Sequence, residues 1–416
     1  MTSHLQSGIG IVAILGAAWL FSEDRRAFPL RTVAAGLVLQ VVLALLLLDV
    51  PVARNALFAL NGVVDALTQA TRAGTSFVFG YVGGGTPPFA PTNQAGLTNF
   101  AFQILPLVIV ISALAALLWH WRILPVIVRG FAFVLRKLLG IGGAVGLGAA
   151  ATIFLGMIEA PLLIRPYLAR LSRSELFMLF TVGLSTVAGT VFVLYASILQ
   201  PVVPGALGHI LVASMLSLPG GILIGRIMVP GKEETEAVAA PGFEYRSSMD
   251  AVARGTADGL QLWLGIVAML LVMVALVALA DIILKHLPQV AGAPLTAERI
   301  FGWAFAPFVW LIGIPWKDAA TAGSLMGDKT ILNEFVAYLK LAALPANALD
   351  PRSRLIMLYA MCGFANFGSV GILIAGVGGL VPERRSEIVP LALRALVSGT
   401  MASALTGAII GLLPVG

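Results

Sequence analysis

Charged residues are scarce in this sequence: Asp, Glu, Lys and Arg supply 11% of the 416 residues, whereas 59% are hydrophobic. A soluble domain carries about a quarter charged residues, so this shortage excludes an ordinary soluble protein. Cysteine is nearly absent too, and the single Cys362 excludes an intramolecular disulfide framework. The chain also lacks HExxH, GxSxG and P-loop patterns, so we expect neither an enzyme nor an ATP-driven pump.

Long apolar segments take the place of the missing charge. A bilayer span needs about 20 mostly apolar residues, and it has to be helical because its backbone polar groups find no water in hydrocarbon. Eight segments are candidates: 8–21, 33–50, 101–118, 176–198, 207–228, 262–284, 355–377 and 389–413. No basic residues of the signal-peptide kind precede the first, so we expect it to be retained. The sequence predicts an all-α polytopic membrane protein with eight transmembrane helices.

The net charge of +6 comes from basic residues near span ends rather than from one patch. This distribution indicates topology and not phosphate binding, so we expect no nucleic-acid partner. With the N-terminus outside, the inside loops hold Arg25, Arg26, Arg31, Arg122, Arg129, Arg136, Lys137, Arg165, Arg170, Arg173, Arg226, Lys232, Arg246, Arg254, Arg384 and Arg385. Fewer fall outside: Arg54, Arg72, Lys285, Arg299, Lys340, Arg352 and Arg354. The bias predicts that both termini lie outside.

Two further apolar stretches, 140–172 and 300–345, do not fit as ordinary spans because several Gly and Pro residues interrupt them. Each also contains a carboxylate in apolar surroundings, Glu159 in the first and Glu334 in the second. We predict that each stretch is a re-entrant helical hairpin with a buried carboxylate. Ionisable groups at membrane depth are costly and mark functional sites, although a structural hydrogen bond to a free backbone N–H is the alternative.

The segments that follow the two hairpins are related. Residues 173–191 and 352–370 are identical at 7 of 19 positions without gaps. The predicted topology gives the two hairpin-and-span units opposite orientations in the membrane. Inverted repeats with broken helices are a design of secondary transporters, with the binding site near the bilayer midplane. Two helical hairpins that only pack in lipid, without a site, are the alternative.

Polar residues inside two spans point to the same region. Ser185, Thr186 and Thr190 form one group, and Asn366 with Ser369 forms the other. A polar solute can satisfy such groups in the membrane. Hydrogen bonding between helices is the alternative, and it is commoner for Ser and Thr than for Asn.

Five ordered motifs carry a resemblance: EAPLLIRPYL (159–168), TVAGTV (186–191), GIPWKDAATAGSLMGDK (313–329), NEFVAY (333–338) and CGFANFGSV (362–370). Together they resemble the concentrative nucleoside transporter family over most of residues 140–415. The resemblance implies eight spans, two re-entrant hairpins and an interfacial helix, for which 53–68 and 122–138 are candidates. It also implies a homotrimer in the lipid bilayer of the bacterial inner membrane. The expected activity is nucleoside import by sodium-driven symport, with an elevator-type movement.

The repeat and the resemblance together suggest a division of the chain. Residues 1–139 and 201–299 would form a scaffold. Residues 140–200 would form the first half of a transport domain, and residues 300–416 would form the second half.

The resemblance also assigns expected substrate contacts. Glu334 would accept hydrogen bonds from ribose hydroxyls, Asn366 and Ser369 would add further ones, and Phe364 would pack nearby. A carboxylate suits a diol because charge-assisted hydrogen bonds are stronger than neutral ones.

The base side departs from the family pattern. A Gln-Thr pair commonly precedes the first carboxylate, whereas this chain has Met157 and Ile158 before Glu159. Val191 matches an apolar wall residue. An apolar wall cannot reward polar base edges, so we expect an altered base preference or a different ribosyl compound.

The cation side departs as well. Thr152 stands where sodium-coupled members have an Asn, whereas Thr186 keeps the expected hydroxyl, and Leu155 and Val187 could offer backbone carbonyls. Sodium remains the expected coupling ion. The alternative is proton coupling through the two hairpin carboxylates. Because Thr152, Met157 and Ile158 depart from the pattern, a non-transporting receptor on the same fold is a further alternative.

Overall fold

The computed structural model describes residues 3–59, 61–91, 97–231, 235, 244–290 and 292–414, so Lys232 and residue 60 of the 53–68 segment lie outside it. In this part of the chain the α-helices are α1 (Ser3–Leu20), α2 (Leu30–Leu48), α3 (Pro51–Ala59), α4 (Asn61–Phe79), α5 (Leu107–His120), α6 (Ile123–Leu139), α7 (Gly143–Thr152), α8 (Glu159–Leu163), α9 (Arg165–Leu168), α10 (Arg173–Ser185), α11 (Gly189–Leu199), α12 (Ala206–Met228), α13 (Ser248–Leu284), α14 (Ala297–Leu311), α15 (Trp316–Ile331), α16 (Glu334–Ala343), α17 (Pro351–Met361), α18 (Phe367–Leu380) and α19 (Arg385–Leu412). Short helical turns cover Gly80–Gly83, Phe100–Ile104 and Pro382–Arg384. The predicted all-α fold is confirmed.

Six of the eight predicted spans coincide with described helical stretches of sufficient length, whereas 8–21 lies on the shorter α1 and 355–377 is divided between α17 and α18. Six described stretches are long and apolar enough to cross a bilayer: Leu30–Leu48, Phe100–His120, Arg173–Leu199, Ala206–Met228, Ser248–Leu284 and Pro382–Leu412. The pair α14 and α15, bent by 116°, could count as a seventh. The multi-pass membrane architecture is therefore confirmed, whereas the count of eight spans stays a prediction.

The first interrupted stretch folds into short helices. α7 ends at Thr152, and the chain then turns through Gly156, whose φ of +106° suits glycine because it has no Cβ. α8 and α9 follow as brief helical pieces before α10 begins. Ser172 and Glu175 form a capping box at the start of α10, and this fixes where the stretch ends.

The second interrupted stretch is a pair of helices that fold back on each other. α14 and α15 meet at a sharp turn that contains Gly313 with φ +114°. The two helices pack very closely, since a Cβ on Gly323 would lie 2.5 Å from the carbonyl oxygen of Gly302. Asn333 then caps α16 by accepting a hydrogen bond from Val336 N at 2.9 Å. Whether either stretch is re-entrant in a membrane stays a prediction.

The spans that follow the two stretches are both broken. One break separates α10 from α11 at residues 186–188, and the other separates α17 from α18 at residues 362–366. The breaks touch each other: Phe364 N donates to Thr186 O at 3.2 Å. A Cβ on Gly363 would lie 2.8 Å from Ser185 O, so only glycine fits this crossing. The repeat therefore brings two unwound segments together inside the molecule.

α6 is the better described of the two candidate interfacial helices. It buries Leu124, Val128 and Leu135 against the protein and exposes other apolar side chains, including Phe133 and Leu138. This pattern suits a helix with one face on the protein and another toward lipid. Its position in the membrane interface stays a prediction.

Candidate functional site

A cavity of about 320 Å³ lies beside the crossing of the two broken spans. Its wall comes from the turn before α8, from α11, α13 and α18, and from the start of α16. The lining includes all eight residues that the sequence analysis selected for the substrate: Met157, Ile158, Glu159, Val191, Glu334, Phe364, Asn366 and Ser369. Residues separated by more than two hundred positions in the chain thus share one cavity. Their assigned roles stay predictions.

Glu334 is the most tightly held of these residues. Its Oε1 accepts a hydrogen bond from the Tyr195 hydroxyl at 2.6 Å, and its Oε2 accepts one from Asn366 Nδ2 at 3.1 Å. The side chain is buried, and it lies in the first turn of α16, where the helix dipole favours a negative charge. The predicted burial of this carboxylate is confirmed.

Asn366 is fixed from its other end. It is the N-cap of α18, and its Oδ1 accepts a hydrogen bond from Ser369 N at 2.7 Å. The unwound segment before α18 therefore orients the Asn366 amide, and the amide in turn orients the Glu334 carboxylate. This chain of contacts is built from both repeats, since Tyr195 lies on α11.

Glu159 differs from Glu334. The prediction that this carboxylate is buried is wrong, because its side chain is exposed into the cavity that it lines. The physical reason is the turn at Gly156, which directs the start of α8 to the cavity rather than into the core. A Cβ on Gly156 would lie 2.9 Å from Glu159 Oε2, so the carboxylate rests on this glycine.

Met157 and Ile158 form an apolar part of the wall. Met157 packs on α10, since its Cβ would lie 3.2 Å from a Cβ on Gly183. Ile158 packs on α18 so closely that a Cβ on Gly376 would lie 2.2 Å from Ile158 Cδ1. Both side chains therefore contribute to helix packing as well as to the cavity. Val191, which is buried, continues this apolar surface on α11.

The four residues selected for a cation lie where α7 meets the break before α11. The Thr152 hydroxyl donates to Ala149 O at 2.7 Å, and the Thr186 hydroxyl donates to Val182 O at 2.9 Å. Each hydroxyl oxygen keeps lone pairs that can coordinate a cation. The chain segments that carry these residues approach each other, because a Cβ on Gly189 would lie 3.1 Å from Phe154 O.

The remaining two cation candidates offer backbone carbonyls. Val187 O accepts a hydrogen bond from Ser214 Oγ at 3.3 Å, which leaves one lone pair free. Leu155 also lines the cavity. Among the described residues no cluster of His, Cys, Asp or Glu could hold a metal ion, so a cation here would need hydroxyl and carbonyl ligands.

Four polar residues at or beside the site were missed in the sequence, among them Asn333, which also lines the cavity but was noted only as part of a motif. Tyr195 was missed because a tyrosine in an apolar span looks like a packing residue, and Gln261 because nothing in the sequence shows which face of α13 meets the cavity. Lys329 is fully buried, with Nζ 3.5 Å from Ser403 Oγ. A lysine inside a stretch already predicted to be buried was a signal that could have found it.

Comparison with known proteins decides the family. The profile described as Na⁺-dependent nucleoside transporter C-terminus matches residues 209–411, and its N-terminal counterpart matches residues 9–82. A third profile, described as nucleoside recognition, matches residues 101–202. The chain belongs to the concentrative nucleoside transporter family. The resemblance noted in the sequence is therefore confirmed, and the protein is a membrane transporter rather than an enzyme.

Individual relatives of this family cover nearly the whole chain. An uncharacterized transporter of Bacillus subtilis, YutK, is 38% identical, over 97% of this chain and 98% of its own. The nucleoside permease NupC of Helicobacter pylori is 36% identical, over 99% of this chain and 98% of its own. The solved structure of CNTnw in an inward-facing substrate-bound state matches with a TM-score of 0.91 at 34% identity, over 99% of this chain and 98% of that one. The structure of a CNTnw variant in an outward-facing state matches with a TM-score of 0.90.

Proposed function

We propose that the protein imports nucleosides across the bacterial inner membrane by symport, driven by a sodium gradient. The observation that carries this proposal is the Glu334 carboxylate, held between Tyr195 and Asn366 at the polar end of the cavity. The family to which the chain belongs supports the class of solute, and NupC of Helicobacter pylori is named a nucleoside permease.

In this proposal the polar end of the cavity binds the ribose. Glu334 accepts hydrogen bonds from ribose hydroxyls, and Asn366 and Ser369 supply further ones. The carboxylate needs no large rearrangement to bind, because Tyr195 and Asn366 already hold it in place. Such preorganisation lowers the entropic cost of binding.

The opposite wall would face the base. Met157, Ile158 and Val191 give it apolar character, with Phe364 nearby and the Glu159 carboxylate exposed at its edge. Contacts of this kind accept a flat ring without selecting strongly among polar edges. We therefore expect a base preference unlike that of family members with polar residues at the first two positions.

Sodium is the proposed coupling ion, with Thr152, Thr186 and the carbonyls of Leu155 and Val187 as ligands. The description of the matching profiles as Na⁺-dependent supports this choice. Proton coupling is the second candidate. It is favoured by the threonine hydroxyl at position 152, a weaker ligand than an amide carbonyl, and by the two carboxylates in the cavity wall.

Transport would proceed by an elevator-type movement in a homotrimer. The proposed moving unit contains residues 140–200 and 300–416, and residues 1–139 and 201–299 supply the proposed scaffold. The existence of inward-facing and outward-facing forms of CNTnw supports alternating access.

The proposal is tested with purified protein in sealed liposomes. Uptake of radiolabelled uridine and adenosine is followed under an inward sodium gradient and, separately, under an inward proton gradient. We expect accumulation with sodium alone. Accumulation with protons alone would replace sodium by protons and leave the solute class intact.

Two other results of the liposome experiment would overturn the proposal. Binding of nucleosides by folded protein without accumulation under either gradient would instead identify a receptor. Absence of both binding and uptake over a panel of purine and pyrimidine nucleosides would mean that the solute is not a nucleoside.

A further inference from the structure

One wall of the cavity belongs to α13, a helix whose main packing partner is α5. Small residues allow this contact, because a Cβ on Gly259 would lie 2.7 Å from Ile109 Cα. The cavity-lining residues of α13 recur at helical spacing: Gln261, Leu262, Gly265, Ile266 and Met269. Within the described lining, Gln261 is the one hydrogen-bonding side chain that α13 contributes.

Gln261 lies deep along this helix. It is thirteen residues after the first residue of α13, which is a distance of roughly 20 Å along the axis. An amide at such depth in a bilayer is costly unless it meets a partner or a cavity. The side chain is exposed on the cavity side, and no described residue hydrogen-bonds its amide. A solute in the cavity can use both its donor and its acceptor.

The rest of this half of the cavity offers few donors. Met157 and Ile158 have none, and Glu159 in its ionised form only accepts hydrogen bonds. Apart from the residues proposed to hold the ribose and Tyr195, which donates to Glu334, the lining offers two further side-chain donors, the Thr190 hydroxyl on α11 and the Asn333 amide. A nucleobase presents ring nitrogens or carbonyl oxygens as acceptors along its edge, and these need a donor when the solute leaves water.

We propose that Gln261 is the specificity-determining residue for the base, donating its amide N–H to an acceptor on the base edge. This inference rests on the proposed function, because it takes the solute to be a nucleoside. Glu334 and Asn366 hold the ribose from the proposed moving unit, whereas Gln261 reaches the base from α13 in the proposed scaffold. The base contact therefore forms only where α13 and the ribose-binding residues face each other.

The test compares nucleosides with analogues that lack one acceptor. In liposomes that hold the full-length protein, uptake is competed by uridine or zebularine, which lacks the 4-oxygen, and by adenosine or its 1-deaza, 3-deaza and 7-deaza analogues. In the wild type we expect at least one analogue to compete about 3- to 10-fold less well than its parent, as one neutral hydrogen bond allows. In Gln261→Leu that ratio falls to about one.

Two comparisons keep the result specific. Discrimination between ribose and 2′-deoxyribose compounds is expected to remain unchanged in Gln261→Leu, because the ribose end is untouched. Leu264→Met alters an exposed apolar side chain of α13 outside the cavity lining and is expected to keep the wild-type ratio. If Gln261→Leu does not fold, Gln261→Met preserves the length of the side chain and removes the donor.

The outcomes separate this inference from the proposed function. Wild-type uptake with an unchanged ratio in Gln261→Leu, or a ratio that collapses in Thr190→Val instead, would overturn the inference and leave nucleoside transport standing. Wild-type protein that transports nucleosides without discriminating any analogue would also overturn it. A wild type that takes up no nucleoside would remove the proposed function and the inference together.

Discussion

The Glu334 carboxylate has a demanding position, because a buried charge in a membrane protein needs hydrogen bonds on both oxygens. Tyr195 and Asn366 supply one each. Each carboxylate oxygen still has lone pairs to accept from a solute. The same contacts that stabilise the charge therefore keep it ready to bind.

Substitutions of Glu334 and of its neighbour Tyr195 are expected to lower nucleoside affinity by different amounts. Glu334→Gln removes a charge-assisted acceptor, which corresponds to about 1.5–3 kcal/mol, so nucleoside affinity should fall roughly 10- to 150-fold and uptake should be lost. Tyr195→Phe leaves Asn366 in place and should cost only about 2- to 10-fold. Competition between unlabelled and radiolabelled nucleoside measures the affinity of both variants, and elution from a size-exclusion column serves as the folding control. Normal transport by Glu334→Gln would remove its ribose role.

The apolar wall gives a second prediction at this scale. Met157→Gln combined with Ile158→Thr restores polar groups and should shift the preference among nucleosides. Because Ile158 packs against Gly376, the double variant is also expected to unfold at a lower temperature than the wild type. Uptake profiles over a panel of nucleosides measure the shift. An unchanged profile would mean that these side chains do not face the base.

Residue types and motif order were enough to predict which side chains line the cavity, since Glu334 and Asn366 are rare groups in apolar segments. The exposure of Glu159 was not predictable, because it depends on the turn at Gly156. Tyr195 and Lys329 also escaped prediction. Their importance comes from Glu334 and Ser403, which are distant in the chain, and local sequence carries no sign of those contacts.

At the scale of elements, the central feature is the crossing of the two broken spans. The sequence indicated related spans, but not that their breaks touch. That contact joins Phe364 to Thr186 and stacks Gly363 on the backbone before α11, so it depends on the other repeat and not on local propensity. The long apolar helices, by contrast, followed directly from composition and length.

The crossing predicts that alanine substitution lowers the unfolding temperature strongly at one glycine and not at another. Gly363→Ala places a Cβ 2.8 Å from Ser185 O, where backbone blocks it, so we expect a clear drop in unfolding temperature and loss of uptake. Gly371→Ala on α18 meets nothing within 4 Å and should leave stability equal or slightly raised. Thermal unfolding in detergent measures both. Equal stability of the two variants would contradict the crossing.

An ion-pair network ties the loop after α1 to α10 and α19. Arg173 Nη2 lies 2.8 Å from Glu23 Oε1, and Arg394 also pairs with this carboxylate. Hydrogen bonding by Arg173, with the charges of both arginines, holds the pKa of Glu23 below its usual value. Since the pKa is lower in the folded state, the stabilisation is present above about pH 4.5 and is lost as pH falls through the folded-state value.

Thermal unfolding between neutral and acidic pH tests this network. Glu23→Gln should reduce the loss of stability on acidification relative to the wild type, while the two proteins differ most near neutral pH. The pairs are partly exposed, so added salt should narrow the difference at neutral pH. An identical pH dependence in both proteins would show that the network contributes nothing to folding.

At the scale of the whole molecule, the first helix is bound to segments from the far end of the chain. Gln6 Nε2 donates to Ile314 O at 2.9 Å, and Arg352 donates to Ser7 Oγ at 3.3 Å. These bonds join α1 to the turn between α14 and α15 and to α17. An elevator movement that separated α1 from these elements would have to break these hydrogen bonds in a low-dielectric environment, at a substantial cost. We therefore propose that α1 moves with the hairpins, in place of its assignment to the scaffold.

Cross-linking decides whether α1 travels with the hairpins. In a Cys362→Ala background, cysteines at Gly8 and Leu412 would join α1 to α19, since a Cβ on Gly8 lies 3.8 Å from Leu412 Cδ1. Cysteines at Met269 and Gly368 would join α13 to α18, since Met269 Cε lies 3.1 Å from a Cβ on Gly368. We expect uptake in liposomes to survive the first cross-link and to stop with the second.

The single-cysteine variants treated with the same reagent serve as controls, and reduction of a cleavable cross-linker should restore uptake for the α13–α18 pair. Loss of uptake with the α1–α19 cross-link would return α1 to the scaffold, because a helix fixed in the membrane would then be holding the moving unit. Continued uptake with both cross-links would contradict the elevator movement itself, since α13 and α18 could not slide past each other.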